Sequence, residues 1–268
     1  MPITRIGYVM PVKGHVEYAV AAIDSLMENS DGAVVTVYVV EDGCEPARGG
    51  DWVRDVTTIH PHSIEYTAMR ADRGPTAAWN DGISRAISEN DMVVMGNDDV
   101  IVPRGWWQDL YYGLTSRMLD FVGPLSNSPG TTNAQQHVLG HLPNYILSDR
   151  QSMIDAVQAQ LQEQSARKFR AGAVNGFFIA ALSDRWRIAA YDIERGLIFP
   201  DAINKMPSGR TNPTPLVTGQ EDWLHSHAKM LDFRMGLSPG TFVFHYRSVT
   251  RGTRYCADGQ LWCRREPV

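Results

Sequence analysis

Nothing in this sequence reads as a membrane span, an oxidised secreted scaffold or a nucleic-acid track. No stretch approaches the roughly 20 consecutive apolar residues that a bilayer-crossing helix needs, so no transmembrane segment is expected. The 3 cysteines, Cys44, Cys256 and Cys263, are an odd count without zinc-like spacing. The first eight residues run straight into strand-like sequence, with no charged leader and apolar stretch of a signal peptide. The setting expected from these features is reducing and cytoplasmic. No Gly-x-Gly-x-x-Gly follows a strand, which argues against a dehydrogenase. With 25 basic and 30 acidic residues the net charge is −5, so no global positive field draws the chain to nucleic acid or acidic lipid. The exception is local: five arginines from Arg247 onward face only Asp258 and Glu266, a balance of 5 − 2 = +3. A basic tail on an acidic body suits a phosphate-bearing small molecule, or is simply a solvated terminus.

What is present is an ordinary globular composition, 43% hydrophobic and 21% charged over 268 residues. That length suits one large domain or two fused halves around a sizeable core. Strand and helix patterns alternate through the first hundred residues, as in a sheet with helices on its faces. Ile6–Met10 is a short apolar run closed by Pro11, and Val34–Val40 is β-branched and apolar almost throughout, as in a strand buried on both faces. Helical spacing links Val16, Ala19, Val20, Ile23, Leu26 and Met27, and later Trp79, Ile83, Ala86 and Ile87. Met92–Met95 is another buried strand. Further helices are expected over 105–118, 151–169, 184–190 (with Ser183 as N-cap) and 220–231 closing near Gly236. Strands are expected over 177–182 and 241–246, and 123–130 and 200–215 read as loops. The chain is expected to divide into a first half over 1–104, a second half over 105–250 with a helical insertion at about 133–170, and a basic tail over 251–268.

Acids cluster where strands end. Asn97-Asp98-Asp99 follows a buried strand, and ligands of open α/β sheets sit at the carboxyl ends of strands. Adjacent carboxylates repel unless a cation neutralises them, and hard oxygen ligands favour Mg²⁺ or Mn²⁺; the alternative is an acidic turn or cap. Glu41-Asp42 ends a second strand, either as turn chemistry or as an acceptor for ribose or base. Glu221-Asp222 opens a helix, either complementing its dipole or placing a general base. His245 lies in an aromatic strand and gains weight only from Arg247, Ser248 and Arg251 behind it, which could hold phosphate. His60, His62, His225 and His227 read as structural or surface residues.

In order along the chain, these pieces resemble the family-2-type GT-A glycosyltransferases from Ile6 to about Ser248. The resemblance is carried by YVMPVKGHVEYAVAAIDSLMEN, VVEDG, RGPTAAWNDGISRA, MGNDDVIVPRGWWQDL, GPLSN, NGFFIAALSDRW, QEDW and HYRS. It implies an α/β GT-A fold, a mixed sheet flanked by helices with fused nucleotide-binding and acceptor-binding halves. It also implies an inverting transfer from a nucleoside diphosphate sugar, with a UDP-sugar as the leading donor, to an acceptor hydroxyl. The base would lie near Pro11, Lys13 and Asp42, the ribose near Asp42 and Asp98, and the donor over the segment ending at Asn80. Asp99, His245 and the phosphates would hold Mn²⁺ or Mg²⁺, and Arg73, Arg247 and Arg251 would bond the diphosphate. Asp222 would be the base, with Glu221 supporting the acceptor. The metal motif reads Asn97-x-Asp99 rather than Asp-x-Asp, so Asn97 would act through water. A glycan is the first acceptor considered, ahead of protein or a modified DNA base. The competing classes are a nucleotidyltransferase on a related sheet and a non-catalytic carbohydrate-binding protein.

Overall fold

The computed structural model describes residues 4–14, 16–43, 50–57, 62–69, 73–129, 133–137, 150–166, 168–204, 211–212 and 219–246. Its strands are β1 (Thr4–Val12), β2 (Ala33–Asp42), β3 (Ser63–Met69), β4 (Met92–Gly96), β5 (Val100–Ile101), β6 (Phe121–Leu125), β7 (Arg170–Ala171), β8 (Phe178–Leu182), β9 (Met235–Phe242) and β10 (Phe244–His245). The helices are α1 (Val16–Glu28), α2 (Asp51–Thr57), α3 (Gly74–Ala86), α4 (Trp106–Thr115), α5 (Arg150–Ser165), α6 (Ser183–Ile188) and α7 (Gln220–Met230). None is long and apolar enough to cross a membrane.

Eight strands form one mixed sheet in the order β3-β2-β1-β4-β8-β6-β9-β7. The first four are parallel, β8 runs antiparallel to β4 and β6, and β9 is parallel to β6. The two expected halves therefore share a continuous sheet. Alternation along β1 sends Ile6, Tyr8 and Met10 to a core with α1 and α4, and Val9 to a second core with α3, α6 and α7. Gly82 lets α3 lie close on β1, because a Cβ there would overlap the Val9 side chain.

Three expectations need correction. Residues 123–125 belong to β6, so the loop begins only at Ser126; three buried, sheet-paired residues outweigh the Gly-Pro loop signal. β9 begins at Met235, not residue 241, because its Pro239-Gly240 pair sits in a bulge where Pro124 pairs Ser238 but Leu125 pairs Phe242. Ser183 is the first residue of α6 rather than its cap, and its hydroxyl donates to the Asn90 carbonyl instead.

α5, in the stretch set apart as a helical insertion, braces the far end of the sheet. Met153, Ile154, Val157 and Leu161 pack on Ile101, Leu125, Phe242 and Phe244. The buried Gln158 amide accepts from Phe242 N–H at 2.8 Å and donates to Gly240 C=O at 2.9 Å, completing the bulge's hydrogen bonds. Gln158→Ala strands both backbone groups, each worth about 1–3 kcal/mol when buried unpaired. A loss of about 2–4 kcal/mol is therefore expected in urea unfolding, and an unchanged midpoint would show that the bulge holds itself.

Candidate active site

The carboxyl ends of β2, β1 and β4 lie side by side, and they carry Asp42, Lys13 and Asn97-Asp98-Asp99 respectively. β10 pairs antiparallel with β5, placing His245 opposite Val100, and Tyr246 N–H donates to the Asp99 carbonyl at 3.0 Å. Asp99 and His245, 146 positions apart in sequence, thus meet at 3.1 Å between Oδ1 and Nε2. Both side chains are buried, Asp99 being 5% and His245 4% exposed.

The histidine's tautomer follows from its neighbours. Nδ1 lies 2.7 Å from the Ser128 carbonyl oxygen, which can only accept, so Nδ1 carries the proton. Nε2 then presents a lone pair, toward which Asn97 Nδ2 donates at 3.2 Å. With the ring neutral, Oδ1 of Asp99 is buried and receives no hydrogen bond. A buried carboxylate oxygen without a hydrogen bond, 3.1 Å from an imidazole nitrogen, calls for a cation there, either a second ring proton on Nε2 or a metal ion in its place. Burial pushes the Asp99 carboxyl up, but in the ring protonated on both nitrogens the charge and hydrogen bond of His245, with the Asn97 hydrogen bond, outweigh it, and the net direction is down.

A carboxylate and an imidazole nitrogen suit Mn²⁺ or Mg²⁺, which take only one or two protein ligands and complete their shell with phosphates and water. Among the described residues no group of three or more His, Cys, Asp or Glu gathers, which is compatible with that sparse mode. The residues present fit such an ion.

Asp98 turns the other way and takes a hydrogen bond from the Lys13 backbone N–H. Burial, then the neighbouring Asp99, hold its carboxyl well above the usual range. Tyr8 lies beneath, its hydroxyl donating to the Asn97 carbonyl at 2.9 Å. Gly96 makes room for it, since a Cβ there would overlap the phenol. Burial, then Asp99 and Asp98, push the Tyr8 hydroxyl up, so it stays a donor.

At the end of β2 both Asp42 oxygens accept backbone N–H groups at 2.8 Å, from Arg73 and Gly74, at the start of α3. A carboxylate at a helix N-terminus is favourable there. The Arg73 side chain is exposed, Lys13 is exposed and Pro11 half-buried. Asn80 is turned to the framework: its amide donates to Phe199 C=O at 3.0 Å and accepts from Phe199 N–H at 2.8 Å.

α7 begins beside α3, Gln220 Nε2 donating to Thr76 Oγ1 at 2.5 Å. Glu221 is half-buried over Gly176, next to the Phe177 that stacks on His245 at 4.8 Å. Asp222 is exposed in the same first turn. His225 and His227 are structural, as expected: His225 accepts from Val174 N–H and His227 stacks on Trp223.

Residues 8–185 match the family model described as Glycosyl transferase family 2. The chain belongs to glycosyl transferase family 2. No curated protein matches it by sequence. Among solved structures it is similar to S. aureus TarS 1-349, at 13% identity and TM-score 0.55, covering 90% of this chain and 60% of that one. It is similar to the mannosyltransferase PcManGT from Pyrobaculum calidifontis, in complex with GDP-Man and Mn²⁺, at 14% identity and TM-score 0.57, covering 91% and 57%. It is also similar to GalNAc-T7 with UDP, GalNAc and Mn²⁺, at 11% identity and TM-score 0.57, covering 91% and 44%. At these identities the likeness is one of fold, the GT-A fold expected above, and the chain spans 44–60% of those chains' lengths.

For this family-2 chain the structure gathers Asn97, Asp98, Asp99 and His245, with Lys13 and Asp42 on neighbouring strand ends. Arg247 and Arg251 lie outside the described residues, as do Cys44, Cys256, Cys263, His60 and Ser248. Sequence reasoning missed Asn127, Ser128 and Phe177, which hold His245, and Tyr8, which bonds the Asn97 carbonyl. The GPLSN segment was the available signal for the first two, but a polar loop says nothing of which strand its amide will grip.

Because the fold raises the Asp98 pKa, that residue's contribution to stability is fully present below its unfolded value of about 3.9 and is lost as pH rises. Asp98→Asn should therefore raise the melting temperature of the metal-free protein at pH 7. The advantage should shrink toward pH 4, as differential scanning calorimetry over that range would read directly.

Proposed function

We propose that this chain transfers a sugar from a nucleoside diphosphate sugar to an acceptor hydroxyl, in a single displacement that inverts the anomeric centre. The observation that carries the reading is the buried Oδ1 of Asp99, which receives no hydrogen bond and lies 3.1 Å from His245 Nε2 at the sheet's carboxyl edge. Family membership supports the reaction class. The Mn²⁺ with GDP-Man in PcManGT, and with UDP and GalNAc in GalNAc-T7, support a divalent cation and a nucleotide-sugar donor. When bound, Mn²⁺ or Mg²⁺ at Asp99 and His245 offsets the charge on the leaving diphosphate.

The chain's own residues do the rest. Pro11, Lys13 and Asp42 flank the nucleoside, with Asp98 at the ribose. The Arg73 and Gly74 N–H groups fix the Asp42 carboxylate in place, so it meets a base or ribose with little reorganisation. Arg73, with Arg247 and Arg251, supplies charge-assisted hydrogen bonds to the diphosphate. Asp222 accepts the acceptor's hydroxyl proton as that oxygen bonds to the anomeric carbon and the bond to the diphosphate oxygen breaks. Its exposed first-turn position keeps it open to an incoming acceptor, whereas Glu221 lies inward over Gly176 and shapes the floor. Asp222 as the one base, with no enzyme nucleophile assigned, implies inversion, as in single-displacement glycosidases. A UDP-sugar is the donor to try first, since TarS is also known in complex with UDP. A glycan acceptor is supported by the aromatic surface beside Asp222: Tyr191, 54% exposed, meets Trp223 edge-on at 6.2 Å.

A panel of UDP-, GDP-, CDP- and dTDP-sugars with Mn²⁺, scored by nucleotide release, tests the activity. Calorimetric titration of UDP and GDP should show affinity that falls on chelation and in Asp99→Ala; equal affinity in all four conditions sinks the metal assignment.

Asp222→Asn keeps shape and removes the base. Nucleotide affinity should stay near normal while transfer falls about 10²–10⁴-fold. Normal turnover in Asp222→Asn with a dead Glu221→Gln would move the base one residue back.

A further inference from the structure

His245 is gripped on almost every side. Among the described residues its short strand β10 has only the two-residue β5 as a strand partner. On the other flank the place of a second strand is taken by one side chain. The Asn127 amide accepts from His245 N–H at 2.8 Å and donates to His245 C=O at 3.1 Å, the reciprocal pair a neighbouring strand would supply. The next residue contributes the Ser128 carbonyl that takes Nδ1–H, and Ser126 Oγ accepts from Ser128 N–H at 3.2 Å, fixing that peptide. Phe177 covers the ring face, its plane 14° from that of the imidazole. Asn127 and Ser128 are themselves buried, 3% and 6% exposed. Backbone N–H, backbone C=O, Nδ1 and one ring face are all committed, which leaves Nε2 pointing at Asp99 and Asn97.

We infer that Asn127 is a positioning residue: its amide substitutes for a missing strand and, with the Ser128 carbonyl, locks His245 as the Nδ1–H tautomer with Nε2 presented to a divalent cation. This rests on the metal reading proposed above. The physical case is that an unpinned imidazole on a two-residue strand would sample both tautomers and several ring angles. A metal would then bind only the competent fraction, and groups that orient a metal-ligating histidine commonly carry 10–100-fold in affinity.

The test measures free Mn²⁺ by electron paramagnetic resonance during titration of the full chain with UDP present. It is run on wild type, Asn127→Ala, Asn127→Asp, His245→Ala and the Asn127→Ala/His245→Ala double variant. Asn127→Ala should raise the apparent Mn²⁺ Kd about 10–100-fold while leaving UDP affinity in chelator unchanged. Asn127→Asp retains the acceptor for His245 N–H but not the donor to its carbonyl, and should fall between. In the double variant the Asn127 change should add nothing to the loss from His245→Ala, because it acts through that ring. Imidazole ¹⁵N NMR of metal-free protein gives an independent readout: an Nδ1–H tautomer in wild type, lost or mixed in Asn127→Ala. If His245→Ala binds Mn²⁺ like wild type, the metal reading falls and this inference with it. If His245→Ala loses Mn²⁺ but Asn127→Ala keeps both affinity and tautomer, the metal reading stands and the positioning role is overturned.

Discussion

The structure is organised around the burial of two adjacent carboxylates, Asp98 and Asp99, at the carboxyl edge of β4. An unpaired buried carboxylate costs several kcal/mol, and two neighbours compound it by mutual repulsion. The fold divides the problem. Asp98 is turned to the Lys13 backbone N–H, where burial and its neighbour still hold its carboxyl high. Asp99 is turned to His245 and Asn97, where its carboxyl is held low. One acid is thus disposed toward the neutral form and the other toward the charged form, so two neighbouring carboxyls of the same strand end differ in character.

That arrangement sets demands far from β4. His245 must arrive from the end of the described chain, so β9 has to cross the sheet, bulge at Pro239-Gly240 and pass its last residues to β5. α5 meets the demand through Gln158 and an apolar stripe, and Arg150 caps the junction, its guanidinium 4.6 Å from the Tyr246 ring centroid. Asn127 holds the other flank of β10. The helix that sequence reasoning set apart as an insertion is therefore a support of the site.

The strand ends were legible because their signals are local. A β-branched run followed by acids, as in Val34–Asp42 and Met92–Asp99, states both the strand and the edge where chemistry collects. α2, β3 and the first part of β9 were not legible. β3 is half-buried with a mixed pattern, and β9 carries Gly and Pro whose meaning depends on a bulge that only the partner strand defines. Asn80 shows the same limit from the other direction. Its place in a family-like segment suggested a donor contact, while both ends of its amide bond a backbone 119 residues away. Polar residues declare that they need partners; sequence does not say which.

The donor and acceptor sides are tied at one turn of helix. Asp42 caps the first N–H groups of α3, and two residues later Thr76 receives Gln220, the first residue of α7. Asn80, a turn further along α3, clamps Phe199, against which Trp223 of α7 packs at 5.7 Å. Asp42 and the start of α7, which carries Glu221 and Asp222, therefore both bear on the first turn of α3. A shift of α3 would disturb both contacts at once. Under the single displacement proposed above such a shared support matters, because attack and departure must lie in line and about 1 Å of drift can cost 10²-fold in rate.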